Sequence, residues 1–454
     1  MLPRFETIAR HRPVAIVGVP CVSEEYDAGA GPRSGSAATP LLAPYAAIEV
    51  ALPPDARTTT LALTGTDGSA LGVSLTEGAV GLSVAVGGSS TAHRSRRHGR
   101  VGTPPARLAL TLTGTHLAAL TLENGAWVVR GRVDLRGIVD TRDGTWLAGL
   151  TSSWTGEVRA WSAGGFGQLG LRDIRLVSHA DGSPYRDEGG VLFTATSAGP
   201  GFFDTGHTSV WQLADSGLTH RADLFFQRPD RPGAFGDHAT HLVRDGEQWL
   251  VATSTWADFP ADKAERRDAT VQITVAESTG DLLRGQHLLA TRSLEVPTDG
   301  PSVGVWDPHL VRTETGEWLV GYVSARKFFD FHPVLASGPS LDDLTLRGAA
   351  TDRRATEGTT IVRIGDDWRV LASDGRDNSR ATRGRFPVFD LDLREIGTLE
   401  APYPTNIPWP TVIAPDEYRP DDGWSLVTFD GTPAGGRLAG YGTHGDVVVM
   451  RASR

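Results

Sequence analysis

Five copies of a strand–turn–strand unit in the second part of the chain limit the fold more than any other feature. Each copy opens with an aliphatic pair and runs through a polar turn into a second apolar strand. The copies begin at Arg175, His241, His309, Thr360 and Thr411, roughly 50 to 70 residues apart. Radial repetition of about four strands per unit builds a propeller. We predict a five-bladed β-propeller over residues 166–454. The alternative is a second sandwich with accidental similarity between its hairpins.

Residues 1–165 have a different sequence pattern. Stretches such as "TTTLALTG" and "ALGVSLTEGAVGLSVAVGG" alternate apolar and polar residues between turns rich in glycine. Such alternation is typical of half-buried antiparallel strands. The 54 glycines and 28 prolines also favour short strands over long helices. We therefore predict an all-β chain, in which an N-terminal β-sandwich of the jelly-roll or concanavalin-like kind is followed by the five-bladed β-propeller.

The composition argues against several classes of function. A net charge of −10 disfavours nucleic acid and anionic membranes as partners. The single cysteine, Cys21, excludes an intramolecular disulfide and a thiolate metal cluster. The sequence has no apolar run of the ~20 residues that span a bilayer. It also lacks a zinc motif, a P-loop and a dinucleotide-binding fingerprint.

The N-terminal segment carries a short apolar run, residues 14–20, without the apolar core and small-residue cleavage site of a signal peptide. We expect a cytoplasmic protein. A leader removed from the sequence would change that expectation to secretion.

Three acids stand at matching places in the repeats. Asp173 and Asp307 each precede the valine of their repeat by four residues, and Glu357 precedes its valine by five. The second and fifth repeats have Ala239 and Trp409 at that place. The first strands of propeller blades line a central channel, so these residues should meet at one mouth of it. A single acid at a strand end commonly caps a turn, but three at matched offsets indicate a site.

The repeat heads resemble glycoside hydrolase family 43 and its relatives, the five-bladed propeller arabinanases, arabinofuranosidases and xylosidases. The resemblance rests on "RDIRLV", "WDPHLVRTETGEWLVGY" and "EGTTIVRIGDDWRVLAS" and covers roughly residues 167–454. Two features depart from the family: Ile174 stands where the family has proline, and the sandwich precedes the propeller. The fructan-cleaving propellers are also similar, although their first-blade motif is absent here.

The resemblance implies a glycoside hydrolase that cleaves a furanoside or pentoside, as an arabinofuranosidase does. Glu357 would be the general acid and Asp173 the general base that activates water. Asp307 would be the third acid, which orients Glu357 and raises its pKa by charge repulsion. The family inverts, which requires the acid and base to stand roughly 6.5–9.5 Å apart. The expected partner is an oligosaccharide or polysaccharide.

Two other functions stay open at this point. A fructofuranosidase or fructosyltransferase on the same fold would retain the anomeric configuration through a covalent intermediate. A propeller without catalytic activity could bind carbohydrate alone. The anomer of the product separates the first alternative from an inverting hydrolase, and the absence of turnover identifies the second.

Other side chains are candidates for binding the sugar. Trp409 and Trp306 could stack on its apolar face, although aromatic rings in blades are often core. Polar candidates are Asp237, His238, His207, Arg326 and Arg376. If the second repeat is misaligned, Asp237 could replace Asp173 as the base.

No cofactor is required by the chemistry. A structural calcium in the propeller channel is a further prediction, because some members of the resembling family have a histidine near a central calcium or water cluster. His444 is the counterpart here. A single histidine does not make a metal site, and the 13 histidines lack metal-ligand spacing.

Overall fold

The computed structural model describes residues 3–27, 31–260, 262–267, 269–415, 423–432, 438–440 and 445–453. Within these ranges it has thirty-five strands, one five-residue α-helix (Gly144–Ala148) and two short 3-10 helices (Phe203–Thr205 and Glu265–Arg267). The protein is therefore nearly all-β, as predicted. None of the helices that the structure describes has the length and apolar character needed to cross a membrane.

Thirteen strands come before residue 170. They are β1 (Phe5–His11), β2 (Ala15–Glu25), β3 (Arg33–Ala38), β4 (Tyr45–Ala51), β5 (Thr58–Thr64), β6 (Ala70–Thr76), β7 (Ala79–Val86), β8 (Ser89–His93), β9 (Arg107–Thr113), β10 (His116–Glu123), β11 (Ala126–Asp134), β12 (Thr151–Gly156) and β13 (Ala160–Gln168).

Strands β2 to β13 form two six-stranded sheets, ordered β11-β10-β9-β4-β13-β2 and β3-β12-β5-β6-β7-β8. Ile48 and Leu110 of the first sheet and Leu63 and Val73 of the second are buried in one hydrophobic cluster. Since alternate residues of a strand point to opposite faces, the alternating sequence gives each sheet an apolar face. The two sheets bury these faces in a shared core.

Twenty-two strands follow. They are β14 (Leu171–Leu176), β15 (Ser178–His179), β16 (Arg186–Asp187), β17 (Gly190–Ser197), β18 (His207–Ala214), β19 (Gly217–Gln227), β20 (His238–Asp245), β21 (Gln248–Ser254), β22 (Ile273–Ser278), β23 (Gly285–Ala290), β24 (Arg292–Ser293), β25 (Gly304–Arg312), β26 (Trp318–Lys327), β27 (Asp330–Ser340), β28 (Asp343–Ala349), β29 (Thr356–Ile364), β30 (Asp367–Asp374), β31 (Phe386–Phe389), β32 (Glu395–Leu399), β33 (Thr411–Ile413), β34 (Ser425–Asp430) and β35 (Asp446–Ala452).

These strands form five sheets, here numbered I to V. Their orders are β14-β17-β18-β19-β23 with β16 beside β17 (I), β15-β20-β21-β22-β24 (II), β25-β26-β27-β28 (III), β29-β30-β31-β32 (IV) and β33-β34-β35-β1 (V). Each predicted repeat supplies the first strands of one sheet, although part of the fifth turn, residues 416–422, lies outside the described residues. Among the described residues, none of the sheets closes on itself.

Hydrophobic clusters join the five sheets in cyclic order. Separate clusters hold side chains from sheets I and II, II and III, III and IV, and IV and V. Another cluster includes Phe193 of sheet I and Val449 of sheet V, and so joins the last sheet to the first. The first strands β14, β20, β25 and β29 are consecutive neighbours. Their ends are thereby brought to one place.

The N-terminal strand β1 pairs antiparallel with β35 in sheet V. Residues 5–11 therefore belong with the C-terminal sheets, whereas residues 15–168 form the N-terminal pair. The division at residue 165 stays a prediction. Tyr45 joins the two parts, because its hydroxyl donates to the Gly206 carbonyl at 2.7 Å and its ring lies 4.8 Å from that of His207.

Candidate active site

A β-bulge interrupts the first strand of sheets I to IV at the same place. The bulge begins at Asp173, Ala239, Asp307 and Gly358, whose φ angles are 53°, 60°, 61° and 73°. Left-handed backbone is costly for residues other than glycine, and such strain concentrates at functional sites. The bulge also explains the one-residue offset of Glu357, because Glu357 precedes the bulge residue whereas the two aspartates occupy it.

The bulges border a cavity of about 250 Å³. The structure brings seven of the predicted site residues to its lining: Asp173, Asp307, Glu357, His238, Trp306, Trp409 and Arg376. Arg376 is exposed at the rim, whereas the other six are buried or half-buried. The alignment of the repeats thus predicted which acids converge.

The surroundings of Glu357 favour its protonated form. Burial, and then the negative charge of Asp173, raise its pKa to about 8. The indole groups of Trp409 and Trp306 act against this rise, although neither N–H meets the distance and angle of a hydrogen bond to Glu357. From the sequence, Asp307 was expected to raise the pKa of Glu357, but burial and Asp173 are the larger causes.

Asp307 also holds its proton tightly. Its pKa is raised well above the usual range, first by burial and then by the charges of Glu357 and Asp173. The backbone N–H of Gly358 donates to its carboxyl and partly opposes the rise. Because Asp307 and Glu357 repel each other when both are ionised, the pair retains a proton more readily than either acid would alone.

Asp173 has the strongest support for a negative charge. Burial raises its pKa, and Arg172, the hydroxyl of Thr196 and Arg175 reduce that rise without cancelling it. The Arg172 Nε atom lies 3.5 Å from Asp173 Oδ2. The site therefore combines a carboxyl that favours protonation, Glu357, with one that has cationic neighbours, Asp173. Such a separation of roles is what acid–base catalysis requires.

Arg175 lies beneath the acids as a buried cation. Its guanidinium donates to the Thr359 carbonyl at 2.6 Å and to the Asp307 carbonyl at 2.8 Å, and it lies 4.5 Å from the centre of the Trp409 ring. Burial lowers its pKa to about 10, against the charges of the three acids. It is therefore charged at neutral pH and offsets part of the acids' charge. This role of Arg175 was not predicted from the sequence.

The layer around Arg175 does not fit a calcium ion. His241 and His309 occupy the same position in the first strands of sheets II and III as Arg175 does in sheet I. Their rings stack with centroids 4.2 Å apart. The Nδ1 atom of each ring accepts a backbone N–H, from Leu310 and Ile361. Hard cations prefer oxygen ligands, and no group of three or more His, Cys, Asp or Glu side chains in the described part of the chain is placed to hold a metal. His444 lies outside the described residues, so calcium there stays a prediction.

Four buried polar atoms at the cavity have no hydrogen-bond partner among the described residues. They are Asp307 Oδ2, Trp306 Nε1, Trp409 Nε1 and His238 Nδ1. Buried polar atoms are nearly always paired in folded proteins, so unpaired ones beside a cavity indicate a polar ligand. The two indoles donate, His238 Nδ1 accepts, and the Asp307 carboxyl, which holds a proton, can do either.

His238 is neutral at physiological pH, because burial lowers its pKa to about 3. Its Nε2 lies 2.9 Å from the Phe203 carbonyl and therefore carries the proton, which leaves a lone pair on Nδ1. That lone pair lies 3.9 Å from Asp173 Oδ2. Two acceptors at this separation fit one molecule that donates to both, such as water.

Three predicted residues do not reach the cavity. Asp237 is fully buried and forms a two-pronged ion pair with Arg228, so it is unavailable as an alternative base. His207 packs against the N-terminal sheets, with its Nε2 3.2 Å from Asp223. Arg326 points outward and binds Asp330 and backbone carbonyls. In each case a nearer partner holds the side chain.

A wall of aromatic side chains, which was not predicted from the sequence, also lines the cavity. Its members are Phe202, Phe203, Trp256, Phe259, Phe328, Phe329 and Phe331. Six of them lie between the second and third strands of sheets I to III, where the sequence reads "GFFD", "WADF" and "KFFDF". The same loop of sheet IV supplies Arg376 and Asp377, and Asn406 and Ile407 complete the lining. Comparing this loop between repeats would have identified the wall.

No protein-family model and no curated protein matches the sequence. Solved structures similar to this chain include a mutant levansucrase from Bacillus subtilis, with 9% identity over 63% of this chain and 85% of that chain and a TM-score of 0.44. A GH43_1 enzyme from Xanthomonas citri has 14% identity over 61% and 87%, with a TM-score of 0.39. An alpha-L-arabinofuranosidase from Lactobacillus brevis has 13% identity over 62% and 91%, with a TM-score of 0.41. The resemblance that the motifs suggested thus recurs among solved structures. At such low identities and TM-scores it carries no argument for an activity.

Proposed function

We propose that this protein is a glycoside hydrolase that cleaves a furanoside or pentoside, with arabinofuranosidase-like specificity, by a single displacement. One observation carries the proposal: Asp173, Asp307 and Glu357 border the same cavity as four unpaired buried polar atoms. Glycoside cleavage needs two carboxyl groups with different protonation, and sugar hydroxyls supply both donors and acceptors for unpaired groups.

The proposal includes the architecture. The cyclic packing of sheets I to V supports a five-bladed β-propeller, with the acids at one mouth of its channel. The shared core of the two N-terminal sheets supports a β-sandwich. In this arrangement each of three blades contributes one acid, which is why the acids are distant in sequence.

The proposed reaction begins with Glu357, whose raised pKa of about 8 keeps it protonated at neutral pH. Glu357 donates its proton to the glycosidic oxygen as the bond from that oxygen to the anomeric carbon breaks. A water held between Asp173 and His238 gives a proton to Asp173, and its oxygen bonds to the anomeric carbon. The products are the free sugar and the protonated leaving group.

The remaining polar groups would hold the sugar. The indole N–H groups of Trp306 and Trp409 can donate to its hydroxyls or ring oxygen, and the Asp307 carboxyl can pair with a hydroxyl through Oδ2. Buried hydrogen bonds of this kind discriminate strongly between substrates, because an analogue that lacks the hydroxyl leaves them unpaired.

Hydrolysis of a panel of arabinosides, xylosides, galactosides and fructosides by wild type and Glu357→Gln tests the proposal. We expect one glycone to be cleaved and the variant to lose at least about a hundredfold in kcat/KM, the lower range for a general acid. Glu247→Gln is the matched control, since that side chain is 98% exposed in a turn of sheet II. Binding of sugar without turnover by wild type would contradict the proposal.

A further inference from the structure

One side of the cavity is polar and the other is aromatic. Its base and the side of sheet IV carry polar groups, including Glu357, Arg376 and Asp377. The side formed by sheets I to III is the aromatic wall, made of five phenylalanines and one tryptophan from the loops between second and third strands, with Phe331 from β27. Phenylalanine has no group that can hydrogen-bond a sugar hydroxyl. The wall is therefore better matched to an apolar ring than to the hydroxyls of a second sugar.

The wall is continuous from the acids to the rim. Trp306, at the base, lies 5.2 Å from Trp256 and 6.2 Å from Phe328, and its ring is within 12° of parallel to that of Phe328. Phe259 joins Trp256 and Phe328 at ring-centroid distances of 5.0 and 4.7 Å. Phe329 lies at the rim and is 53% exposed. A flat apolar group bound along the wall would thus have one end near Glu357.

The rim of the wall is held in place by a cation. The Arg266 guanidinium lies 5.0, 5.6 and 5.5 Å from the ring centres of Phe202, Phe259 and Phe329. Its Nε donates to the Pro260 carbonyl at 3.0 Å. Cation–π contacts of this kind stabilise the position of the rings. Phe329 also has a φ of 70°, which places a bulky side chain in left-handed backbone. The outer edge of the wall is thus an exposed phenylalanine ring beside a cation.

We propose that the aromatic wall is a leaving-group subsite, and that the substrate is a glycoside of a phenol or another aromatic alcohol rather than an oligosaccharide. The inference rests on the proposed function, since it names the group that leaves when the glycosidic bond breaks. The sugar would occupy the polar base and the aromatic ring would stack on the wall. Cleavage gives the free phenol, which takes the proton of Glu357, and the sugar, which takes the hydroxyl of water.

The chemistry of the leaving group fits this site. A phenol has a pKa of about 10, so its oxygen needs less protonation than that of a second sugar. A donor with a raised pKa of about 8 is still able to supply that proton. Aromatic rings prefer offset-stacked or edge-on neighbours, and the wall offers both geometries.

Calorimetric titration with 2-naphthol, which contains no sugar, tests the subsite independently of turnover. We expect wild type to bind it and Phe329→Ala to bind it roughly tenfold more weakly, the scale of one lost aromatic contact. Ile396→Ala is the control, because Ile396 has the same 53% exposure but lies in β32, outside the cavity lining. Phe328→Leu keeps most of the volume and should also weaken binding. Equal binding by all four proteins, or no binding by wild type, would overturn the inference.

Kinetics separate this inference from the proposed function. With the cleaved sugar as glycone, Phe329→Ala should raise KM for the naphthyl glycoside several-fold more than KM for the methyl glycoside. If the protein hydrolyses an oligosaccharide, and Phe329→Ala and Phe328→Leu do so as well as wild type, the inference is overturned. The proposed hydrolase function would then still hold. Wall-dependent naphthol binding without any hydrolysis would support the subsite while the proposed activity fails.

Discussion

At the scale of single residues, the proposed reaction depends on two neighbouring carboxyl groups, of which Asp173 has the more cationic surroundings. Glu357 is half-buried with a raised pKa of about 8, whereas Asp173 has Arg172 and Arg175 beside it. Neither property can be inferred from the identity of an acid in a sequence, because each comes from neighbours that are distant along the chain.

The raised pKa of Glu357 predicts a pH-dependent stability. A carboxyl whose folded-state pKa exceeds its unfolded value of about 4.3 stabilises the fold fully below that value and loses the effect as pH rises. For Glu357 the loss runs up to about pH 8. We expect Glu357→Gln to gain free energy of unfolding relative to wild type between pH 5 and pH 9, measured by urea denaturation. Glu400→Gln, at a side chain 72% exposed, should show a constant difference.

His238 is predicted to position the attacking water. His238→Ala should lower kcat about tenfold to a hundredfold, below the full effect of losing a general base, while KM changes little. His238→Asn, which retains an acceptor, should recover part of the loss. A change confined to KM would instead place His238 in sugar binding. Rates at saturating substrate, with thermal unfolding midpoints as the control for folding, decide between them.

At the scale of elements, the β-bulge in the first strands of sheets I to IV is the structural feature that forms the site. The bulge recurs in sheets I to IV. In each sheet, two residues of the first strand lie opposite a single residue of the second strand. The repeats in the sequence revealed the strands and the matched offsets of Asp173 and Asp307. They did not reveal the bulge, because bulges need no fixed residue type and only Gly358 signals left-handed backbone.

Gly358 is predicted to be the most sensitive position of its strand pair. A Cβ there would lie 2.5 Å from the Trp409 ring, in addition to the strain of a φ of 73°. Gly358→Ala should therefore destabilise the protein by more than about 1 kcal/mol and reduce activity. Gly365→Ala is a matched control, since its φ of 64° is similar and no atom lies within 4 Å. Equal losses of stability in the two variants, measured by denaturation, would show that packing against Trp409 is unimportant.

At the scale of the whole molecule, the N-terminal sheets support the sheets that carry Asp173 and His238. Tyr45 is buried between them, stacked at 5.5 Å on Phe225 and bonded to the Gly206 carbonyl. The contacts between the two parts thus include ring packing and hydrogen bonds. These contacts favour a structural role for the N-terminal sheets.

Loss of the Tyr45 hydroxyl tests this role. Tyr45→Phe leaves the Gly206 carbonyl without its partner in a buried place and should cost about 1–3 kcal/mol of unfolding free energy. Tyr26→Phe removes a hydroxyl whose acceptor, Glu24, is exposed, and should cost less than about 0.5 kcal/mol. Urea denaturation of both variants at pH 7 gives the comparison. Similar values would mean that the interface contributes little.

The sequence predicted the all-β class, the repeat positions and seven lining residues, because turn spacing and strand alternation are local signals. It did not predict that Arg228 holds Asp237, that His207 faces the N-terminal sheets, or that β1 joins sheet V. Each of these depends on a partner far away in sequence. The aromatic wall was accessible from sequence, but only through a loop that lies outside the matched strands.

The most direct test of the central claim is the anomer of the first product, followed by proton NMR during hydrolysis of the cleaved substrate by wild type. The account places a water between Asp173 and His238 and therefore predicts that the configuration is inverted from the earliest time points. A product that first appears with retained configuration would mean that a carboxylate attacks the sugar directly, and it would contradict the single displacement proposed for this site.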